Sequence, residues 1–249
     1  MQKAAKRRKL QRQAIVGVIV VLIGLGVVYL VSRKPAKSKT SAKSSATPAA
    51  HTTASALPCP SAAGTSPRRV TFPYAQPPMC INPAKSYSAV FKTDLGSFTV
   101  SLDAKSAPKT VNAFVYLARY HFYDGLTFHR VIPGFVVQGG DPNPPSNASA
   151  APSGPQGPGF VVQGEVPKAG AYQVGTVAMA KTGAQPAGAT ESQFFIVTGS
   201  QGTSLPPLYS IFGQVTSGMG VVNRISAAGS ASGTPSVTHR IVSVTIHSS

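Results

Sequence analysis

The side chains that most often carry covalent or metal-assisted chemistry are scattered along this sequence. The chain has 249 residues, with six acidic residues, five histidines and two cysteines. The histidines lack metal-ligand spacing, and the GxSxG, HExxH and Walker-type motifs are absent. Hydrolysis by a pair of carboxylates is poorly supported, because five of the six carboxylates lie in predicted turns. These five are Asp94, Asp103, Asp124, Asp141 and Glu165. We therefore expect chemistry that needs no covalent intermediate, metal or other cofactor.

One segment stands out, Phe128 to Asp141, with the sequence FHRVIPGFVVQGGD. It resembles the signature of the cyclophilin family of peptidyl-prolyl cis-trans isomerases, and it is too long for chance agreement. Four further segments agree with this family in the same order: Ala107–Phe114, Gly175–Ala180, Glu191–Ile196 and Ile211–Val215. The resemblance extends over about residues 86–247, and it implies an enzyme that accelerates rotation about X-Pro peptide bonds.

The resemblance also implies the residues of the site. It makes Arg130 the catalytic residue. The implied substrate-binding residues are Phe135, Val136, Gln138, Ala180, Gln193, Phe195, Leu205 and Tyr209. The apolar side chains of this set would form the pocket for the proline ring, and the two glutamines would line the groove. Ala180 would contact the substrate backbone, and Tyr209 occupies a position that is often His.

These residue types suit the reaction. Rotation about an X-Pro bond crosses a barrier of about 20 kcal/mol that amide resonance creates. In the twisted transition state the prolyl nitrogen becomes pyramidal and regains a lone pair. A guanidinium directed at this nitrogen would stabilise the twisted form more than either planar isomer, as catalysis requires. Arginine is suited to this role because it stays charged and presents a rigid set of donors.

Each assignment has an alternative. An isolated arginine on a strand is usually solvated or paired with an acid, and Phe135 and Phe195 alone would be ordinary core residues. The alternative function is a cyclophilin-like module that binds Pro-containing segments with little turnover. Arg130 favours the enzyme, because a simple binding module has no evident use for a cation at the prolyl nitrogen. Two departures leave the binding module open: the Pro- and Ala-rich loop Pro142–Pro158, and Ser204, where many family members have Trp.

The elements that position these residues follow from alternation and turn signals. Residues 88–93 and 97–102 alternate like strands on either side of a Gly-containing turn, which predicts a hairpin. Further short strands are expected at Phe128–Ile132, Phe135–Gln138, Thr176–Ala180, Phe194–Thr198, Ser210–Val215 and Ile241–Ile246. One helix should begin near Pro108, and another should span Gly218 to Ile225. The pattern predicts a mainly β domain, and the resemblance implies a closed eight-stranded antiparallel barrel capped by two helices.

The sequence predicts four parts along the chain. These are a basic cytoplasmic N-terminus at residues 1–13, a transmembrane anchor at 14–31, a Pro/Ala/Ser-rich disordered linker at 32–84 and the isomerase domain at 85–249. The anchor is an uninterrupted apolar run that would span about 27 Å as a helix, close to the hydrocarbon core of a bilayer. The alternative is a cleavable signal peptide. The run is longer than the apolar region of an ordinary signal peptide, however, and Ser32-Arg33-Lys34-Pro35 follows it instead of a small-residue cleavage site.

The only two cysteines, Cys59 and Cys80, precede the predicted domain. Their spacing fits neither a CxxC redox motif nor a zinc site. We expect a disulfide if the region faces an oxidising compartment, where it would staple residues 59–80 into a flap that could dock on the domain. The alternative is a pair of free thiols in a reducing cytoplasm.

The net charge of +17 suggests nucleic-acid binding at first sight. Residues 1–84 carry 13 Lys and Arg and no acidic residue, whereas residues 85–249 carry 10 basic and 6 acidic residues. The positive charge therefore flanks the apolar run, which is typical of a membrane anchor and argues against a nucleic-acid partner. We expect a monomer that contacts membrane lipid through residues 14–31 and proline-containing polypeptides through its domain. The protein would be a single-pass protein of the cell membrane with an extracytoplasmic catalytic domain.

Overall fold

The computed structural model describes residues 55–73, 75–144 and 157–249. The chain divides into two compact units, Met1–Ala50 and His51–Ser249, and all described residues belong to the second. The predicted cytoplasmic N-terminus, the predicted anchor and the first part of the predicted linker lie outside the described residues. Within the described ranges, no helix is both long enough and apolar enough to cross a bilayer.

The described part of the chain is mainly β. Its strands are β1 (Tyr87–Thr93), β2 (Gly96–Leu102), β3 (Arg130–Ile132), β4 (Val136–Gly139), β5 (Val162–Gln163), β6 (Thr176–Met179), β7 (Ala189–Thr190), β8 (Phe194–Val197), β9 (Ile211–Ser217) and β10 (Ile241–Ser248). Eight of them form one antiparallel sheet in the order β10-β1-β2-β9-β6-β8-β4-β3. The short strands β5 and β7, which the sequence did not predict, form a separate antiparallel pair.

The large sheet curls, but its ladder does not continue between the edge strands β3 and β10. The edges meet just before these strands, where Thr127 and Arg240 form an isolated antiparallel bridge. Backbone hydrogen bonds on either side of the bridge join residues 125–128 to residues 239–241. Strand β3 stays short because the chain turns at Pro133 and Gly134 into β4. The expected strand number and antiparallel pairing are present, whereas the expected full closure is replaced by this short contact.

The central strands β6 and β8 are buried on both faces of the sheet. Successive side chains of a strand point to opposite faces. In β8, Phe194 and Ile196 accordingly join the main hydrophobic core, whereas Phe195 and Val197 join a second, smaller cluster on the other face. The pleat thus divides one apolar run between the core that stabilises the fold and a separate apolar surface.

Three helices accompany the sheet in the described residues: α1 (Pro108–Arg119), α2 (Ser200–Thr203) and α3 (Met219–Ala227). The first is capped from outside, because the carboxylate of Glu165 accepts hydrogen bonds from the backbone N–H groups of Lys109 and Thr110 at 2.9 and 3.1 Å. The third begins after Gly218, which has φ of 77° and no side-chain cap. A Cβ on Gly218 would lie 2.5 Å from the carbonyl oxygen of Ser97, so only glycine fits there.

The N-terminal segment, residues 57–73 and 75–82, packs on the domain. The sequence assigned this segment to the linker and predicted a disulfide-stapled flap at residues 59–80 within it. Phe72 is buried in the main core, with its ring centroid 5.5 Å from those of Tyr116 and Tyr120 on and just after α1. Its backbone N–H donates to the carbonyl oxygen of Pro158 at 2.8 Å. Aromatic burial of this kind stabilises the docked segment, and it explains why the compact unit begins before residue 85.

Polar contacts hold the same segment on α1. The side chain of Asn112 accepts a hydrogen bond from the backbone N–H of Cys80 at 2.7 Å and donates one to the carbonyl oxygen of Pro78 at 2.9 Å. Cys80 is joined to Cys59 by a disulfide, with their Cα atoms 5.3 Å apart. The disulfide therefore closes a loop of chain that is already anchored at the helix.

Replacing both Cys59 and Cys80 by serine should lower the free energy of unfolding by about 3 kcal/mol, because the open loop has more conformational freedom in the unfolded chain. Denaturant titration of the wild type with and without reductant, and of the double variant, measures this change. Reductant should shift the midpoint of the wild type to that of the variant and leave the variant unmoved. Equal midpoints for the oxidised wild type and the variant would contradict the prediction.

Candidate functional site

A pocket of about 310 Å³ opens on the face of the sheet opposite the main core. It is lined by Arg130, Phe135, Val136, Gln138, Ala180, Lys181, Phe195, Leu205 and Tyr209. Eight of the nine residues that the sequence assigned to catalysis and substrate binding are in this lining. The ninth, Gln193, lies next to the pocket and accepts a hydrogen bond from Gln138, which lines it, at 2.9 Å.

The walls of the pocket are apolar. Phe195 projects from β8 into the second hydrophobic cluster, where its ring meets that of Tyr209 edge-on at a centroid distance of 5.4 Å. Tyr209 is held from behind by Tyr172, whose hydroxyl donates to the Tyr209 carbonyl at 2.9 Å and accepts from the Tyr209 N–H at 3.1 Å. Tyr172 was not predicted as a site residue, and its place 37 residues earlier in the chain gave no signal. The aromatic wall is therefore fixed by packing and by two hydrogen bonds.

Arg130 lies at the edge of this apolar pocket, at the start of β3. Its guanidinium carbon is 5.7 Å from the ring centroid of Phe135, and Nη1 donates to the Oε1 of Gln138 at 3.3 Å. Strand pairing places the two residues opposite each other, since Arg130 faces Gln138 in the β3–β4 register. Burial lowers the pKa of the guanidinium from its ordinary value. An arginine nevertheless remains charged in a protein, so the pocket holds a partly desolvated cation beside an apolar surface.

Two glutamines and an aspartate continue from the arginine in a line of hydrogen bonds. Gln138 donates from Nε2 to the Oε1 of Gln193 at 2.9 Å. Gln193 donates from Nε2 to the Oδ2 of Asp141 at 2.9 Å. Asp141 is fully buried, and the sequence placed it in a turn without a role in the site. The β4–β8 pairing brings Gln138 opposite Phe195, which places the two glutamines side by side.

A smaller pocket of about 160 Å³ adjoins the first and shares Gln138, Ala180 and Lys181 with it. Its other lining residues are Thr182, Gln185, Glu191 and Gln193. Lys181 lies between the two pockets, with Nζ 5.7 Å from the ring centroid of Tyr209 and 2.9 Å from the carbonyl oxygen of Gln185. Burial raises the pKa of the Glu191 carboxyl, and the hydrogen bond from Gln185 opposes this shift. The sequence did not assign Lys181 or Glu191 to the site.

His129 precedes the arginine and lines neither pocket. Burial lowers its pKa to about 4, although hydrogen bonds with the backbone of Thr127 and the side chain of Gln193 favour the charged form. The imidazole is therefore neutral at physiological pH. This agrees with a structural role for His129.

The shifted pKa of His129 predicts a pH dependence of stability. Because the folded pKa lies below the ordinary value of 6.5, protonation favours the unfolded chain, and stability falls as pH drops from about 6.5 towards about 4. The contribution of this group over that range is about 3 kcal/mol. As pH is lowered from 7, the wild type should therefore lose more unfolding free energy than His129→Gln, so that the difference between the two proteins becomes smaller. Parallel curves for the two proteins would show that His129 contributes nothing to the slope.

This arrangement can hold an apolar ring against Phe195 and Leu205 while the guanidinium of Arg130 and the amide of Gln138 face the same ligand. It offers no nucleophile hydrogen-bonded to a base. Among the described residues there is also no group of three or more His, Cys, Asp or Glu that could hold a metal ion. An apolar wall beside a partly desolvated cation supports binding of a ligand and electrostatic stabilisation of its changing shape.

Comparison with known proteins gives a consistent result. The family described as cyclophilin type peptidyl-prolyl cis-trans isomerase/CLD matches residues 88–246, well over half of the chain. The peptidyl-prolyl cis-trans isomerase of Helicobacter pylori is 38% identical over 148 residues, which cover 57% of this chain and 82% of the relative. The peptidyl-prolyl cis-trans isomerase B of Bacillus subtilis is 42% identical over 123 residues, which cover 49% of this chain and 78% of the relative.

The fold has solved counterparts as well. A cyclophilin type peptidyl-prolyl cis-trans isomerase from Cryptosporidium parvum, crystallised in the presence of the dipeptide Ala-Pro, superposes with a TM-score of 0.51 at 26% sequence identity. The match covers 65% of this chain and 99% of the other. The curled antiparallel sheet with few helices is therefore shared with a solved isomerase structure.

Proposed function

Since this chain belongs to the cyclophilin-type peptidyl-prolyl cis-trans isomerase family, we propose that it accelerates X-Pro rotation in unfolded or secreted polypeptides and that Arg130 is its catalytic residue. The observation that carries the proposal is the position of the guanidinium, at the edge of an apolar pocket and within reach of a ring bound there. A substrate proline would lie against Phe195, Val136 and Leu205. A relative was crystallised with Ala-Pro, which is the minimal X-Pro unit.

The proposed mechanism is differential stabilisation. The apolar wall holds the proline ring still while the preceding part of the peptide rotates. As the amide twists, the prolyl nitrogen loses conjugation and gains a lone pair, to which Arg130 donates a hydrogen bond. This contact is stronger in the twisted state than in either planar isomer, so it lowers the barrier. Gln138 holds one edge of the guanidinium at 3.3 Å, which leaves the remaining N–H groups for the substrate.

A protease-coupled assay tests the proposed activity. The full-length protein, purified in detergent, is added to a short Xaa-Pro peptide whose trans form alone is cleaved. Uncatalysed conversion of the cis peptide takes tens of seconds at 25 °C and gives a slow phase of cleavage. Catalysis should increase the rate of this phase and leave the final amplitude unchanged. Binding of the peptide without acceleration would overturn the proposal and favour a module that only binds Pro-containing segments.

We further propose that residues 14–31 anchor the protein in the cell membrane with residues 32–249 on the extracytoplasmic side. The apolar run and its basic flanks support this location. The disulfide between Cys59 and Cys80 adds support, because such a bond persists in an oxidising compartment. The basic residues Arg33 to Lys43 oppose it, since positive charge favours the cytoplasmic side.

Intact cells provide the test of this location, with any outer membrane permeabilised first. Added protease should remove the domain, and a thiol-alkylating reagent should label the cysteines only after reduction. A protected domain whose cysteines react without reductant would place it in the cytoplasm. The role with secreted chains would then be abandoned, whereas the isomerase activity would stand.

A further inference from the structure

Arg130, Gln138, Gln193 and Asp141 form an unbroken hydrogen-bond relay. The successive donor–acceptor distances are 3.3 Å from Arg130 to Gln138, 2.9 Å from Gln138 to Gln193 and 2.9 Å from Gln193 to Asp141. The relay begins at the proposed catalytic group and ends at a fully buried carboxylate that lines neither pocket. Asp141 therefore lies two side chains away from the guanidinium.

The chemistry of the four groups gives this relay one direction. A guanidinium only donates hydrogen bonds and a carboxylate only accepts them, whereas each amide has an oxygen at one side and an NH2 at the other. Gln193 must turn its NH2 towards Asp141, so its oxygen faces Gln138. Gln138 must then turn its NH2 towards Gln193, so its oxygen faces Arg130. If both amides were reversed, the NH2 of Gln138 would face the N–H groups of Arg130, and the arginine would lose its acceptor.

The position of Asp141 is fixed by the backbone. Its Oδ1 accepts the backbone N–H of Asn143 at 2.8 Å, which leaves Oδ2 directed at Gln193. The preceding residue, Gly140, has φ of 86°, and a Cβ there would lie 2.6 Å from the carbonyl oxygen of Ser192. This close approach holds the turn at Asp141 against the residue that precedes Gln193. The hydrogen bond between Gln193 and Asp141 is therefore held in place by two backbone segments that pack against each other.

We propose that Asp141 is a positioning residue that sets the direction of the relay and thereby holds the guanidinium of Arg130 in its productive orientation. This inference rests on the proposed role of Arg130. It assigns a function in turnover to a buried side chain that does not touch the substrate. The fixed carboxylate also explains how two glutamines in series can position an arginine. Either amide alone could adopt two orientations, with its oxygen and its NH2 exchanged.

The substitution Asp141→Asn tests the direction with almost no change in shape. The N–H of Asn143 belongs to the backbone and cannot turn, so the new amide must direct its oxygen there and its NH2 towards Gln193. Gln193 and Gln138 then reverse, and Arg130 meets a donor. We expect kcat/KM to fall about threefold or more, mainly through kcat, while the fold persists by circular dichroism. The 15N-edited NMR signal of the Arg130 Nε–H group, identified by its loss in Arg130→Ala, should shift or broaden.

A double-mutant cycle separates positioning from a structural effect. If Asp141 acts through Arg130, Asp141→Asn should cause no further loss in the Arg130→Ala background. Equal losses in both backgrounds would overturn the inference. If Arg130→Ala itself has no effect, the proposed function fails instead, so the two failures are distinguishable.

A second carboxylate gives a matched control. Glu191 is close enough to Asp141 for the Asp141 charge to raise the pKa of Glu191, yet it is outside the relay. Glu191→Gln removes a charge from the same neighbourhood and should leave the Arg130 Nε–H signal in place. A shift as large as that of Asp141→Asn would indicate a general electrostatic effect and overturn the inference.

Rescue provides the strictest test. The double variant combines Gln138→Glu with Asp141→Asn. Its new carboxylate at position 138 accepts hydrogen bonds from both Arg130 and the reversed Gln193. The oxygen of Gln193 then accepts from the new amide at position 141. Every donor again has an acceptor, so the Arg130 signal should return towards its wild-type position. No return would contradict the directional relay. If Asp141→Asn does not fold, Gln193→Met severs the next link and should show the same signal change and the same non-additivity with Arg130→Ala.

Discussion

Replacing Arg130 by alanine should lower kcat/KM for X-Pro isomerisation by at least about tenfold, equivalent to 1.4 kcal/mol of lost transition-state stabilisation. The loss should fall mainly on kcat, because the contact with the prolyl nitrogen is strongest when the amide is twisted. The fold should persist, since Arg130 is only partly buried and lies outside both hydrophobic clusters. Protease-coupled kinetics and circular dichroism on the same preparations measure the two effects.

Two control variants define the cause of that loss. Arg130→Lys keeps the charge but not the rigid set of donors, so it should recover only part of the activity. Arg240→Ala removes the same charge from an exposed position that lines neither pocket, and it should leave kcat/KM unchanged. A folded Arg130→Ala variant with wild-type kinetics would refute the mechanism.

Phe195→Ala should impair both substrate binding and stability. Its ring is buried in the second hydrophobic cluster and meets Tyr209 at 5.4 Å, so its removal opens the wall of the pocket. Truncation of a buried phenylalanine costs about 3–5 kcal/mol of unfolding free energy. We expect KM to rise and kcat to fall, because the proline ring is no longer held still. Peptide titrations followed by kinetics, together with denaturant melts, give the two quantities.

The neighbouring residue provides a matched control for the effect on stability. Phe194 lies on the same strand, but its side chain points to the opposite face and is buried in the main core. Phe194→Leu should lower stability with little change in KM, whereas Phe195→Leu should raise KM. Identical kinetic effects of the two leucine variants would mean that the proline pocket is not formed by Phe195.

Much of the pocket could be predicted from sequence because its residues belong to long motifs or to alternating strands. The segment from Phe128 to Asp141 carries Arg130, Phe135, Val136 and Gln138. The turn between β3 and β4 brings Arg130 opposite Gln138. The alternation in β8 separates Phe195 from Phe194 without reference to any other part of the chain. Such local patterns survive in the sequence because the period of a strand is fixed by backbone geometry.

The residues that sequence reasoning missed are those whose role depends on a distant neighbour. Asp141 looked like an ordinary turn residue, because Gln193, its partner in the relay, is 52 positions away. Glu165 also looked like a turn residue, yet it caps α1 from 55 and 56 positions away. Lys181 reaches Tyr209 only because β6 and β9 are paired and bring the ends of their flanking loops together.

The extent of the domain was likewise decided by tertiary contacts. The sequence predicted a Pro/Ala/Ser-rich linker up to residue 84 with a disulfide-stapled flap at 59–80, and Phe72 of this segment packs among Tyr116, Tyr120, Phe122 and Phe160. Composition averages over a segment, so it does not show which distant aromatic rings a single phenylalanine will contact. The short β3 strand limits closure of the sheet for a similar reason, since its length depends on the turn that follows it.

By itself, the sequence determined the mainly β architecture through strand alternation. Its long motifs, through their resemblance to the cyclophilin family, indicated eight of the nine side chains that line the pocket. Tertiary structure decided which of those side chains bond to one another and in which direction. Hydrogen-bond direction depends on whether the next group can donate or accept, and in the chain from Gln138 to Asp141 that group is supplied by a residue more than 50 positions away. The orientation of Arg130 therefore depends on the folded sheet, whereas its assignment to the site could be made from the sequence.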